Sequence, residues 1–76
     1  MARNHQTENP LFKALNKQYE SDIASAYATL TIYFDSAVGI GEHPQHLEEM
    51  DKLVDKIATA EDKLKSLNKH FNNTQI

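Results

Sequence analysis

Apolar side chains recur every three or four residues along two long stretches of the chain. In the second stretch they follow a 3-4 alternation without a break, at Met50, Leu53, Ile57, Ala60, Leu64, Leu67 and Phe71. In the first stretch the spacing is nearly as regular, at Phe12, Leu15, Tyr19, Ile23, Ala26, Leu30, Tyr33 and Ala37. A strand would alternate every two residues, so the pattern predicts an all-α fold of two amphipathic helices.

Helix-starting and helix-ending residues bound both stretches. Asn9 is a typical capping residue and Pro10 suits the first helical position, so the first helix is predicted over about 10–38. Gly39 can close that helix in the left-handed conformation. After Gly41, Pro44 starts the second helix, predicted over about 44–71. Gly39, Gly41 and Pro44 therefore form the predicted hinge.

Two helices of similar length joined by a short connection form an antiparallel hairpin. We therefore expect residues 1–76 to be a single helical-hairpin domain, with 1–8 and 72–76 flexible. The predicted core seam between the helices consists of Phe12, Tyr19, Ile23, Met50, Leu53, Ile57, Leu64, Leu67 and Phe71.

The apolar stripe on each helix is wider than one partner helix can cover. This excess predicts that two hairpins pair into a dimeric four-helix bundle. A tetramer or a larger partner would satisfy the same pattern. The side chains expected at the oligomer interface are Tyr27, Leu30, Phe34, Val38, Leu47 and Val54.

Two polar residues interrupt the apolar stripes. Asn16 lies on the seam of the first helix between Phe12 and Tyr19, where an asparagine commonly sets register or oligomeric state at some cost in stability. Glu61 belongs on the flank of the second helix, beside Val54, if the heptad pattern is followed. We predict that Asn16 is the register residue.

Composition narrows the class of protein. The chain has 8 basic and 11 acidic residues, a net charge of −3, and no basic face for nucleic acid. It has no cysteine and no apolar run near the roughly 20 residues needed to span a bilayer. A polar start without a signal-peptide core adds to the expectation of a cytoplasmic protein that binds neither nucleic acid nor membrane.

His43, His46 and Glu49 are the weak candidates for metal binding. His46 and Glu49 are three residues apart and would share one helix face, as metal ligands can. The alternative interpretation is that they are exposed residues of a first helical turn. Glu20 and Glu61 are the only further carboxylates that a di-metal bundle could recruit. We predict no metal and no other cofactor.

The hinge and the helix after it, "AVGIGEHPQHLEEMDKLVDKIATAEDKLKSL" at 37–67, resemble small uncharacterised proteins encoded by tailed phages of marine bacteria, especially cyanobacteria. Those proteins share a VGxGEHP turn that leads into an acidic amphipathic helix. The resemblance implies a phage-encoded or marine origin, host cytoplasm as the location, and a small helical fold of unassigned function.

No catalytic residue is predicted, because the chain lacks a phosphate loop, a nucleophile elbow and a Ser/His/Asp order on a strand framework. The protein is therefore expected not to be an enzyme. The favoured hypothesis is a homo-oligomeric structural or protein-interaction module, with a host or virion protein as a further partner. The alternatives are a metal-binding bundle and an acidic, antitoxin-like inhibitor of a host protein.

Overall fold

A computed structural model describes residues 5–35 and 45–72. In these ranges the chain forms two helices, α1 (Pro10–Asp35) and α2 (Gln45–Phe71), and no strand. The all-α helical hairpin predicted from the sequence is confirmed. Residues 36–38, at the predicted end of the first helix, lie outside the described residues, as do the predicted hinge residues Gly39, Gly41 and Pro44.

The first helix begins as the sequence predicts. Oδ1 of Asn9 accepts a hydrogen bond from the backbone N–H of Leu11 at 2.8 Å. The Asn9 carbonyl accepts the first intrahelical bond, from the N–H of Lys13 at 3.0 Å. Asn9 is thus the capping residue, and Pro10 occupies the position where a missing N–H costs nothing.

The run "TLTIYF" at residues 29–34 has strand-forming composition but is helical. Two of its hydroxyls bond to the helix that carries them. Oγ1 of Thr29 donates to the carbonyl of Ser25 at 3.0 Å, and Oγ1 of Thr31 donates to the carbonyl of Tyr27 at 2.8 Å. Because these polar groups are satisfied within α1, the 3.6-residue apolar period decides the structure against local propensity.

The helices run antiparallel, as three contacts between them show. Near the start of α1, Asn16 hydrogen-bonds to Asn68 near the end of α2. One turn further, Nζ of Lys63 lies 5.8 Å from the ring centroid of Tyr19. At the other end, the rings of Tyr33 and His46 meet edge to face with centroids 5.4 Å apart. We call the end with Asn16 and Asn68 the terminal end and the end with Tyr33 and His46 the hinge end.

The most deeply buried side chains are small. In the described part of the chain the buried side chains are Ala26 and Ala60, 1% and 3% exposed. The larger seam residues flank them and remain partly exposed, since each is covered from one side only. This holds for Phe12, Tyr19, Ile23, Met50, Leu53, Ile57, Leu64 and Leu67.

Phe71 departs from the predicted seam. It is the last residue of α2 and is 42% exposed. Since α1 begins only at Pro10, little of α1 extends past Phe71 to cover its ring. The prediction that Phe71 lies in the core was therefore too strong.

The hairpin has the shape of a rod two helices across. The whole chain, with the residues outside the described ranges, extends over 59 × 17 × 16 Å. It exposes 5917 Å² of surface, whereas a compact monomer of 8.6 kDa would expose roughly 4,700 Å². The whole chain, with the residues outside the described ranges, therefore exposes roughly 1,200 Å² more than a compact monomer of its mass.

The residues before α1 contact the end of α2. The backbone N–H of Gln6 donates to the carbonyl of Phe71 at 2.6 Å, and His5 and Asn72 form an isolated antiparallel bridge. The carbonyl of Gln6 also accepts a bond from the N–H of Asn9 at 2.8 Å. The apolar pattern did not predict these contacts, because they join backbone groups. The flexibility expected for 1–8 and 72–76 stays a prediction.

Candidate functional site

Four large apolar side chains are exposed along one edge of the hairpin. Tyr27, Phe34 and Leu47 are each 66% exposed and Val54 is 50% exposed. All four belong to the oligomer interface predicted from the sequence. Of the other two predicted members, Leu30 is partly buried and Val38 lies outside the described residues. We call the four exposed side chains the apolar face.

The hydrogen bond between Asn16 and Asn68 identifies the edge on which these side chains lie. Phe34 follows Asn16 by eighteen residues, which is five complete turns, so both leave α1 in the same direction. Val54 precedes Asn68 by two heptads and is displaced from it by only about 40°. Because the two asparagines meet on one side of the groove, the apolar residues of both helices line that same side.

The four side chains form two rungs across the hairpin. Tyr27 and Phe34 are one heptad apart on α1, and Leu47 and Val54 are one heptad apart on α2. In the antiparallel register Tyr27 lies nearly level with Val54, and Phe34 with Leu47. Each rung is about 10.5 Å from the next, because a heptad rises by that distance. The apolar face occupies the half of the hairpin nearest the hinge end.

The same edge becomes polar towards the terminal end. One heptad beyond Tyr27 and Val54, the corresponding rung consists of Glu20 and Glu61, both exposed. Oε2 of Glu20 accepts a hydrogen bond from Nδ2 of Asn16 at 3.2 Å, and its Oε1 lies 3.8 Å from Nζ of Lys17. We call Glu20 and Glu61 the carboxylate pair. It marks the boundary of the apolar face.

A chain of asparagines continues this polar edge. Nδ2 of Asn72 donates to Oδ1 of Asn68 at 3.0 Å, and Nδ2 of Asn68 donates to Oδ1 of Asn16 at 3.1 Å. Nδ2 of Asn68 also donates to the carbonyl of Leu64 at 2.9 Å. Asn16 thus contacts the facing helix through Asn68, and its role in setting the register stays a prediction. Its partner Asn68 was not predicted, since the spacing within one helix contains no information about the facing residue.

The opposite edge of the hairpin has a different character. Nζ of Lys63 stacks over the Tyr19 ring, and Nζ of Lys52 lies 3.3 Å from Oε2 of Glu49. Ile32 is 64% exposed but lies about 200° around α1 from Phe34, away from the apolar face. The exposed pairs of Lys63 with Tyr19 and Lys52 with Glu49 each contribute at most about 1 kcal/mol to stability. We therefore treat this edge as a solvated surface.

A second apolar feature is a cleft at the terminal end. It has a volume of about 260 Å³ and lies between the start of α1 and the end of α2. Its lining is mostly apolar. Its lining residues are Gln6, Asn9, Leu11, Phe12, Leu15, Leu67 and Phe71.

Two of the three weak metal candidates have other contacts. The ring of His46 packs against Tyr33, and the carboxylate of Glu49 pairs with Lys52. His43 lies outside the described residues. Within 5–35 and 45–72, no three side chains of metal-binding type lie together. The metal hypothesis therefore stays a prediction, without a ligand cluster in these ranges.

Comparisons with known proteins add no relative. No family model, no curated protein and no solved structure matches this chain. Neither α1 nor α2, over the residues described, is long and apolar enough to cross a bilayer. The arrangement of the exposed side chains is therefore the basis for a functional conclusion.

Proposed function

We propose that this protein is a self-associating helical module, in which two hairpins pair through their apolar faces as a four-helix bundle. The observation that supports the proposal is the exposure of Tyr27, Phe34, Leu47 and Val54 on one edge. Large apolar side chains grouped on one face commonly mark a protein–protein contact. In this bundle the predicted oligomer interface would become the centre of the core.

The area available on the hairpin supports a second copy as the partner. Each subunit of a standard dimer buries about 800 Å². The whole chain, with the residues outside the described ranges, exposes roughly 1,200 Å² more than a compact monomer, so it has surface enough for such a contact. Pairing two hairpins through their apolar faces would remove part of this excess surface from water.

The modest core of one hairpin supports the same conclusion. In the described ranges only two alanines are buried, and alanine contributes little apolar area. A domain below about 70–80 residues seldom has a core worth more than 3–5 kcal/mol without a further source of stability. The chain has no cysteine for a disulfide. A second hairpin would supply the missing burial.

A matched pair of substitutions tests this proposal. Phe34 and Ile32 are large apolar residues of α1 with nearly equal exposure, 66% and 64%, on different sides of the helix. Phe34→Ser removes an aromatic side chain from the apolar face, and we expect the dimer dissociation constant to rise at least about 30-fold. Ile32→Ser removes a similar area from the solvated side and should leave dimerisation unchanged. Sedimentation equilibrium over a range of concentrations measures both constants.

The two substitutions distinguish a contact through the apolar face from a contact elsewhere. A concentration-dependent dimer that Phe34→Ser weakens and Ile32→Ser does not would support pairing through the apolar face. Equal effects of the two substitutions would place the contact elsewhere. A wild-type protein that stays monomeric and folded at micromolar concentration would overturn the proposal.

A further inference from the structure

Within the described residues, the carboxylate pair bounds the apolar face towards the terminal end, and this boundary restricts how two hairpins can pair. From the hinge end, the rungs are Phe34 with Leu47, then Tyr27 with Val54, then the carboxylate pair. A dimer that covers the first two rungs must therefore hold the third rung, the carboxylate pair, either inside the contact or beyond it. Removing an unpaired carboxylate from water is costly, and carboxylates brought together repel each other.

A two-fold axis parallel to the helices would place the hinge ends of both copies together. Each rung would then face the equivalent rung of its partner. Glu20 and Glu61 would meet the partner's Glu20 and the partner's Glu61, so four carboxylates would share one layer of the bundle. Lys17 can neutralise only Glu20, from which it lies 3.8 Å away. This arrangement brings like charges together in the interior.

A two-fold axis perpendicular to the helices reverses one hairpin relative to the other. If the axis passes between the two apolar rungs, Tyr27 packs on the partner's Phe34, and Val54 packs on the partner's Leu47. Both apolar rungs are then covered. Glu20 and Glu61 lie beyond the partner's Phe34 and the partner's Leu47, and do not meet their own copies.

We infer that the carboxylate pair, Glu20 and Glu61, sets the orientation of the dimer, in which the hairpins overlap by their hinge halves with their terminal ends pointing in opposite directions. This inference rests on the proposed self-association and adds the geometry of the partner. The carboxylates act by position: they make the alternative, hinge-to-hinge bundle unfavourable. A contact with a different protein is not required.

One distance distinguishes the two arrangements. Ser66 is exposed near the terminal end of α2, about 15 residues from the centre of the predicted overlap. At 1.5 Å per residue, labels on the two copies of residue 66 are about 45 Å apart or more in the reversed dimer. In the hinge-to-hinge bundle they are separated only by the bundle width, about 30 Å with outward labels. Because the chain has no cysteine, Ser66→Cys gives a single spin-labelling site.

The experiment measures the distance between labels by pulsed electron resonance in the labelled protein. The wild-type background should give the long distance. Combining Ser66→Cys with Glu20→Gln and Glu61→Gln should produce a new population at the short distance, because the neutral amides can share a layer. The control combines Ser66→Cys with Glu48→Gln and Asp62→Asn, which remove the same charge from the outward side of α2. That control should keep the long distance.

Each result decides the inference. A dimer with the short distance in the wild-type background would overturn the orientation while leaving the proposed self-association intact. A long distance that persists in the Glu20→Gln, Glu61→Gln variant would show that the carboxylates do not set the orientation of the dimer. A labelled protein that sediments as a monomer would overturn the proposed function and the inference together.

Discussion

Asn68 donates a hydrogen bond from Nδ2 to Oδ1 of Asn16 at 3.1 Å, across 52 positions of sequence. This bond joins the helices by their side chains at a partly buried position, in a seam that is otherwise apolar. A slip of one helix by a single turn would separate these two amides and break the bond between them. The pair therefore favours one register over its neighbours.

We predict that the two asparagines are energetically coupled. In a double-mutant cycle of Asn16→Ala and Asn68→Ala, the coupling energy should be about 0.5–1.5 kcal/mol, as expected for one net hydrogen bond. The cycle cancels the gain in helix propensity that each alanine brings. Urea unfolding of the wild-type protein, the two single variants and the double variant measures this coupling energy. A coupling energy indistinguishable from zero would show that the bond does not stabilise the register.

A second prediction concerns Ala26, the buried alanine of α1. Ala26→Leu inserts a larger side chain at a position that is 1% exposed, and should cost about 1–3 kcal/mol of unfolding free energy. Ala28→Leu is the matched control, because Ala28 is exposed on the outer side of the same helix. Thermal melting compares the two variants. If both are equally stable, the helices can separate without loss at Ala26.

A third prediction concerns the cap of α1. Asn9→Ala removes the acceptor of the Leu11 N–H and should destabilise the hairpin by about 1 kcal/mol. Asn9→Ser keeps a capping oxygen and should recover most of that loss. Chemical denaturation at a fixed protein concentration measures both changes. Equal losses for the two variants would mean that the cap is not the cause.

A fourth prediction concerns the segment before α1. Gln6→Pro deletes the N–H that donates to the Phe71 carbonyl, and should expose the amide protons at the start of α1 to faster hydrogen exchange. Gln6→Ala removes only the side chain and is the control, since its backbone still donates. Faster exchange in both variants would assign the effect to the side-chain amide of Gln6.

Within the described residues, the features that could be predicted from the sequence are those that depend on one helix at a time. Asn9 and Pro10 predicted the start of α1, because capping depends on neighbouring residues. The 3-4 spacing predicted which side of each helix is apolar, including the exposure of Tyr27 and Phe34. These follow from periodicity, which a single helix defines.

The features that were missed depend on how the two helices meet. Asn68 was not predicted as the partner of Asn16, because the register between α1 and α2 depends on both helices together. The Gln6 contact with Phe71 joins backbone groups, which every residue carries, so no side-chain pattern marks it. The boundary of the apolar face at Glu20 and Glu61 likewise depends on the alignment of both helices.

The contact between Gln6 and Phe71 also determines how the molecule would respond to force. Both described ends of the chain leave the rod at its terminal end, joined there by the hydrogen bond from Gln6 to Phe71 and by the bridge between His5 and Asn72. A pull applied through those ends would load the contacts in sequence, first Gln6 with Phe71, then Asn16 with Asn68, and last Tyr33 with His46. The hairpin would open one contact at a time at low force. A force applied along the helix axes would load the same contacts together, and they would then resist jointly.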